Sequence, residues 1–81
     1  MPWRYEYSKT FAEKARALEH GYLKSAVKDL LAQILDLDDP RDRGGRYLHT
    51  DLWAYPFCGR HFLVCHIDEA RMTVFFRTIV S

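Results

Sequence analysis

"YPFCGRHFLVCHID", residues 55–68, decides how the rest of the chain is read. It sets two cysteines, two histidines and an arginine around an apolar run. Cys58, His61, Cys65 and His66 are all zinc-ligand types. An extended chain advances about 3.3 Å per residue, however, so His61 and Cys65 lie about 13 Å apart and cannot share one tetrahedral ion. The stretch therefore reads as a strand, with Cys65 as a small core residue, and no metal is expected. A Cys58–His61 nucleophile is the other chemical reading, and the sequence supplies neither an orienting third group nor an oxyanion donor for it.

Strand side chains alternate between faces. One face of this strand carries His61, Leu63, Cys65 and Ile67 and suits a core. The other carries Arg60, Phe62, Val64 and His66. The last apolar run, residues 72–80, divides into Met72, Val74, Phe76 and Val80 on one side and Thr73, Phe75, Arg77 and Ile79 on the other. A buried, unpaired arginine is costly, which puts the Arg77 set outward. The expected open face is an apolar patch of Phe62, Val64, Phe75 and Ile79 rimmed by Arg60, His66 and Arg77. Such a patch marks a binding surface.

The remaining elements follow from periodicity. "WRYEY" (3–7) alternates aromatic and charged residues as a strand does, and Ser8 is placed to cap a helix. Phe11, Ala12, Ala15 and Leu18 form a helical stripe, with Gly21 expected as its C-terminal stop. Leu23, Val27, Leu30, Leu31 and Ile34 repeat at three and four, predicting a second helix that ends in "DLDDP". "RDRGGR" (41–46) reads as a loop. Three strands follow, at 52–57, 61–67 and 72–80, with "DEAR" (68–71) as a hairpin turn. The predicted fold class is α+β: an N-terminal strand, an antiparallel helical hairpin and a three-stranded antiparallel meander, as a single domain over 1–81.

Eighty-one residues, 48% of them hydrophobic, describe a folded chain with a thin core. A net charge of +1 requires any nucleic-acid surface to be local. Two cysteines do not make a disulfide scaffold, no run approaches the ~20 apolar residues of a membrane span, and "MPWRYEYSK" has no signal-like apolar segment. A cytoplasmic protein without membrane contact is expected. The second half concentrates arginine and histidine. Arg41, Arg43, Arg46 and His49 are candidates to contact nucleic acid, with Tyr55 to stack on a base. Against this, arginines in a loop are usually just solvated, and Asp38, Asp39 and Asp42 partly offset these.

The order βααβββ, the Asp39-Pro40 that closes the second helix, and Gly59, Leu63, Val64, Ile67 and Asp68 in the pattern G-x-x-x-L-V-x-x-I-D resemble the RelE/ParE superfamily of toxins from type II toxin–antitoxin systems. The resemblance spans nearly the whole chain. It implies a toxin that inhibits translation by ribosome-dependent mRNA cleavage, needs no cofactor, and is held by a cognate antitoxin in a hetero-oligomer. The alternative within the superfamily is a ParE-like inhibitor of DNA gyrase, or a member that only binds its antitoxin. One departure bears on the choice. Where the family carries Tyr-Arg, with the arginine neutralising the scissile phosphate in RNA-cleaving members, this chain has His61-Phe62. Catalytic candidates therefore come from chemistry alone. They are His66 and His61 to move protons, and Arg60 and Arg77 to hold phosphate.

Overall fold

In the computed structural model, which describes residues 3–81, Ser8 divides the first strand from the first helix. Strand β1 spans Arg4–Tyr7 and helix α1 spans Lys9–Arg16. The extended Ser8 accepts the Phe11 N–H on its hydroxyl at 2.9 Å, which satisfies one of the free donors at the helix start. Helix α2 spans Gly21–Leu35 and buries Leu23, Val27, Leu30 and Ile34, four of the five residues of the predicted stripe. Gly21, expected to end the first helix, instead opens the second. α1 closes at Ala17, whose N–H bonds Glu13 with a right-handed backbone (φ −82°), so no left-handed glycine is needed.

"RDRGGR" is more ordered than a loop. Pro40–Arg43 forms a 3-10 helix capped by the Asp39 carboxylate, which accepts the Arg41 N–H at 3.0 Å, and Gly44 closes it at φ +88°. Then come β2 (Arg46–His49), β3 (Leu52–Phe57), β4 (His61–Asp68) and β5 (Thr73–Val80). The sheet order is β1-β5-β4-β3-β2, with β1 parallel to β5 and the other pairs antiparallel. The expected three-stranded meander thus has a fourth strand, β2. All four of its residues are exposed, so no burial alternation marks it. It is held by a two-residue turn at Thr50 and Asp51, both at positive φ (50° and 63°), as the twist of a tight hairpin demands.

Both helices cover one face of the sheet. Phe11, Leu23, Val27, Leu30 and Ile34 pack against Tyr55, Phe57, Leu63, Cys65, Ile67, Val74, Phe76 and Ile79. Leu63, Cys65 and Ile67 face inward as expected. The parity of the last strand does not survive to its end. Val64 pairs with Thr78 and Cys65 with Phe76, so Arg77 is an extra residue on β5, a bulge. One inserted residue turns everything after it to the other face. Ile79, expected outside, is buried, and Val80, expected inside, is exposed. The Ser8 hydroxyl donates to the Arg77 carbonyl at 2.7 Å, tying the bulge to the start of α1.

At the opposite edge the 3-10 helix lies over Tyr55. Its fully buried hydroxyl donates to the Pro40 carbonyl at 2.8 Å, and burial raises its pKa. Gly45 sits on the same ring, and a Cβ there would come within 2.5 Å of it. Gly45→Ala is expected to destabilise the fold by about 1–3 kcal/mol. Gly21→Ala, whose methyl meets nothing within 4 Å, should leave stability unchanged or raise it slightly. Urea unfolding of the two variants tests this, and equal effects would show that the Gly45–Tyr55 contact carries no weight.

Candidate functional site

The face of the sheet away from the helices is uncovered among the described residues. Its side chains follow from register. Leu52 lies opposite His66, Ala54 opposite Val64 and Pro56 opposite Phe62 on β3 and β4. On β5, Phe75 lies opposite His66, Thr78 opposite Val64 and Val80 opposite Phe62. Three adjoining clefts run along this surface. At one end, about 220 Å³ is lined by Arg46, Leu48, Ala54, Phe62, Val64 and Val80. In the middle, about 580 Å³ lies among Ser8, Thr10, Leu52, Val64, Phe75, Arg77 and Thr78. At the far end, about 460 Å³ is lined by Arg4, Glu6, His66, Asp68, Arg71, Thr73 and Phe75. Val64 belongs to the first two and Phe75 to the last two, so the clefts form one continuous groove.

Two of the four catalytic candidates lie along this groove. His66 lines the groove on one side of Phe75. Arg77, directed by the bulge, lies on the other, its guanidinium carbon 5.9 Å from the Phe75 ring centroid. The other two lie elsewhere. Arg60 is exposed in the connection before β4, six residues from His66 and about 20 Å along an extended chain. His61 is on the helix side, its ring 5.3 Å from that of Phe57, with Nδ1 buried and unpartnered. The four do not form one centre.

The nucleic-acid candidates are scattered for a physical reason, since several are consumed inside the protein. Arg41 makes a close pair with Asp39 (2.7 Å) and a longer one with Glu69 (3.3 Å), and its guanidinium lies over the Trp3 ring. The hydrogen bond from Arg41 holds the Asp39 carboxyl below its ordinary range, and Asp39 raises Arg41 in turn. Arg43 donates to Gln33 of α2 at 2.6 Å. His49 sits at the end of β2, its ring nitrogen 3.0 Å from the Thr50 hydroxyl. Tyr55, expected to stack on a base, is fully buried and has no face to offer. Of the five, Arg46 alone lines the groove.

The cysteines are equally separated. Cys65 is buried in the core, where desolvation pushes its thiol up to about 12, and Cys58 is exposed at a turn. Among the described residues no three His, Cys, Asp or Glu side chains are grouped to hold a metal ion, and no helix is long and apolar enough to cross a membrane. Arg4, Glu6 and Asp68 are charged groove residues that sequence reasoning missed, and they surround Arg71, one of the arginines concentrated in the second half. Nothing local marks them, because they meet through the parallel pairing of β1 with β5, the two ends of the chain.

This architecture is shared with solved structures. The isolated E. coli RelE toxin superposes with a TM-score of 0.76 over 96% of this chain and 82% of its own, at 15% identity. The chain has the RelE toxin fold. A chain of the intact E. coli RelBE toxin–antitoxin complex matches with a TM-score of 0.71 at 15% identity, covering 96% of this chain and 94% of that one. One from the RelBE2 toxin–antitoxin complex of Mycobacterium tuberculosis matches at 0.70 and 18% identity, covering 98% and 96%. No protein-family model and no curated protein matches the sequence. The likeness to RelE is therefore one of fold, carried by element order and core pattern with few identities. The RelE fold here presents an apolar end around Phe62 and a charged end around His66 on the same open face.

Proposed function

We propose that this chain is the toxin of a type II toxin–antitoxin pair, a single domain acting in the cytoplasm and inhibiting translation by cleaving mRNA on the ribosome. The observation that carries the reading is His66 and Arg77 on either side of Phe75 in the open groove of a RelE fold. Cleavage by a ribose 2′-hydroxyl needs a base for its proton, cations for the charge on the phosphorane, and an acid for the leaving oxygen. His66 serves as base or acid, Arg77 as the cation, and Phe75 gives a base a ring to stack on. A cognate antitoxin would hold the toxin by covering the apolar groove in a hetero-oligomer. The likeness to chains of two toxin–antitoxin complexes supports that partner.

A specific observation favours a second reading. Phe62 stands where the resemblance places the phosphate-neutralising arginine, and its cleft is otherwise lined by Leu48, Ala54, Val64 and Val80, with Arg46 as the one cation at its rim. On this reading the chain acts by protein contact, inhibiting gyrase or only binding its antitoxin.

Induction in a bacterial host and translation in a purified system with intact mRNA test the first reading. Arrested growth with cleaved mRNA is expected, and His66→Ala and Arg77→Ala should each lower cleavage at least a hundredfold while remaining folded. Intact mRNA at saturating protein would sink the nuclease. A supercoiling assay would then separate gyrase inhibition from antitoxin binding alone.

A further inference from the structure

The charged end of the groove is built by register rather than by any motif. Phe75 has Glu6 as its neighbour on one side and His66 on the other, and Thr73 has Arg4 and Asp68. These two rows cross three adjacent strands. Side chains two residues apart on a strand share a face, so both rows project into the same cleft of about 460 Å³. Arg71 closes it from the turn between β4 and β5. A cleft of this size falls in the range of small-molecule sites.

The two arginines are loosely held. Arg4 lies 3.9 Å from Glu6, with side chains 75% and 52% exposed. Arg71 lies 3.7 Å from Asp68 and is 84% exposed. Charge-assisted hydrogen bonds are about 2.7–2.9 Å long, and exposed pairs longer than that contribute little. Arg41, at 2.7 Å from Asp39, shows what a committed pair looks like in this protein. Arg4 and Arg71 can therefore turn to an incoming oxyanion at small cost. One row further along the strands lies the half-exposed Phe75 ring, a stacking surface for a planar base. Glu6 and Asp68 can accept hydrogen bonds from ribose hydroxyls or an exocyclic amine. Their negative charge disfavours a ligand with several phosphates.

We propose that this corner is a nucleotide subsite: Arg4 and Arg71 bind one phosphate, Phe75 stacks the base, and His66 lies beside both. In taking that nucleotide to be one link of an RNA strand, the inference rests on the RNA-cleaving reading above, and it extends that site to β1 and the β4–β5 turn. It adds two phosphate cations at the end of the open face opposite Phe62.

The test is NMR titration of the purified chain with adenosine 5′-monophosphate, adenosine, inorganic phosphate and a single-stranded RNA hexamer. The monophosphate should shift the amides of Glu6, His66, Thr73 and Phe75 saturably, and adenosine and phosphate should each bind at least about tenfold more weakly. Arg4→Ala and Arg71→Ala should each weaken the monophosphate about tenfold, the effect of losing one charge-assisted contact. Arg4→Lys should recover part of that loss, and Lys28→Ala on α2 should change nothing. The hexamer should displace the monophosphate. Adenosine binding as tightly as its monophosphate, or folded Arg4→Ala and Arg71→Ala variants that bind like the parent, would overturn the subsite. A hexamer that fails to compete would overturn its place on an RNA path. Cleavage retained with nucleotide binding absent rejects the subsite alone. Nucleotide binding by a chain that leaves mRNA intact rejects the nuclease alone.

Discussion

Phe76→Ala should lower stability by about 3–5 kcal/mol. Phe76 is fully buried, and three rings surround it: Tyr7 at 5.1 Å, Phe11 at 5.6 Å and Tyr5 at 6.3 Å between centroids. These rings belong to β1 and α1, so one side chain of β5 anchors the whole N-terminal arm. Phe11 is the buried residue of α1 and packs directly on it. A chain of this length has a total stability of about 4–12 kcal/mol, so the loss is a large fraction of the whole. Urea unfolding followed by tryptophan fluorescence gives the value. Phe75→Leu, one residue away on the open face, should cost less than about 1 kcal/mol. A loss below 1 kcal/mol at Phe76 would show that the aromatic cluster is not what docks α1.

On the toxin–antitoxin reading proposed above, Val64→Asp should leave the fold nearly intact and abolish capture by the proposed antitoxin. Val64 is half-buried at the middle of the open groove, shared by two of its clefts. In the free chain an aspartate there keeps contact with water, and the cost is about 1 kcal/mol. Under a partner that covers the groove the same carboxylate loses its water, a penalty of several kcal/mol and at least about a hundredfold in affinity. Co-purification with the product of the adjacent reading frame measures it, with Val64→Thr as the milder control. Undiminished capture by a folded Val64→Asp chain would place the antitoxin elsewhere on the surface.

The groove was half legible before the structure. Alternation divides the strands into faces and the cost of burying Arg77 sets which face is outward, and Phe62, Val64, His66, Phe75 and Arg77 do line the groove. Ile79 and Val80 were exchanged because a bulge leaves no mark in hydrophobicity, as both are apolar. Tyr55 reads as a stacking residue in the sequence because a tyrosine looks the same exposed or buried until its hydroxyl finds Pro40.

Local periodicity by itself determined the two helices, β1, β3 to β5 and the inward set Leu63, Cys65 and Ile67. Those depend only on which faces of a helix or strand are apolar, and that is written residue by residue. It also determined that Cys58, His61, Cys65 and His66 do not share an ion, because extended backbone has a set rise. Only the tertiary structure decided that Arg46–His49 pairs as a strand, that Arg41 and Arg43 are held by Asp39 and Gln33, and that Arg4 comes beside Arg71 and His66. The first rests on a turn whose positive φ its residues do not announce, the second on how the 3-10 helix aims its arginines, and the last on partners distant in the chain. The parallel pairing of the first strand with the last joins the two ends of the sequence, and no pattern within either end records the other.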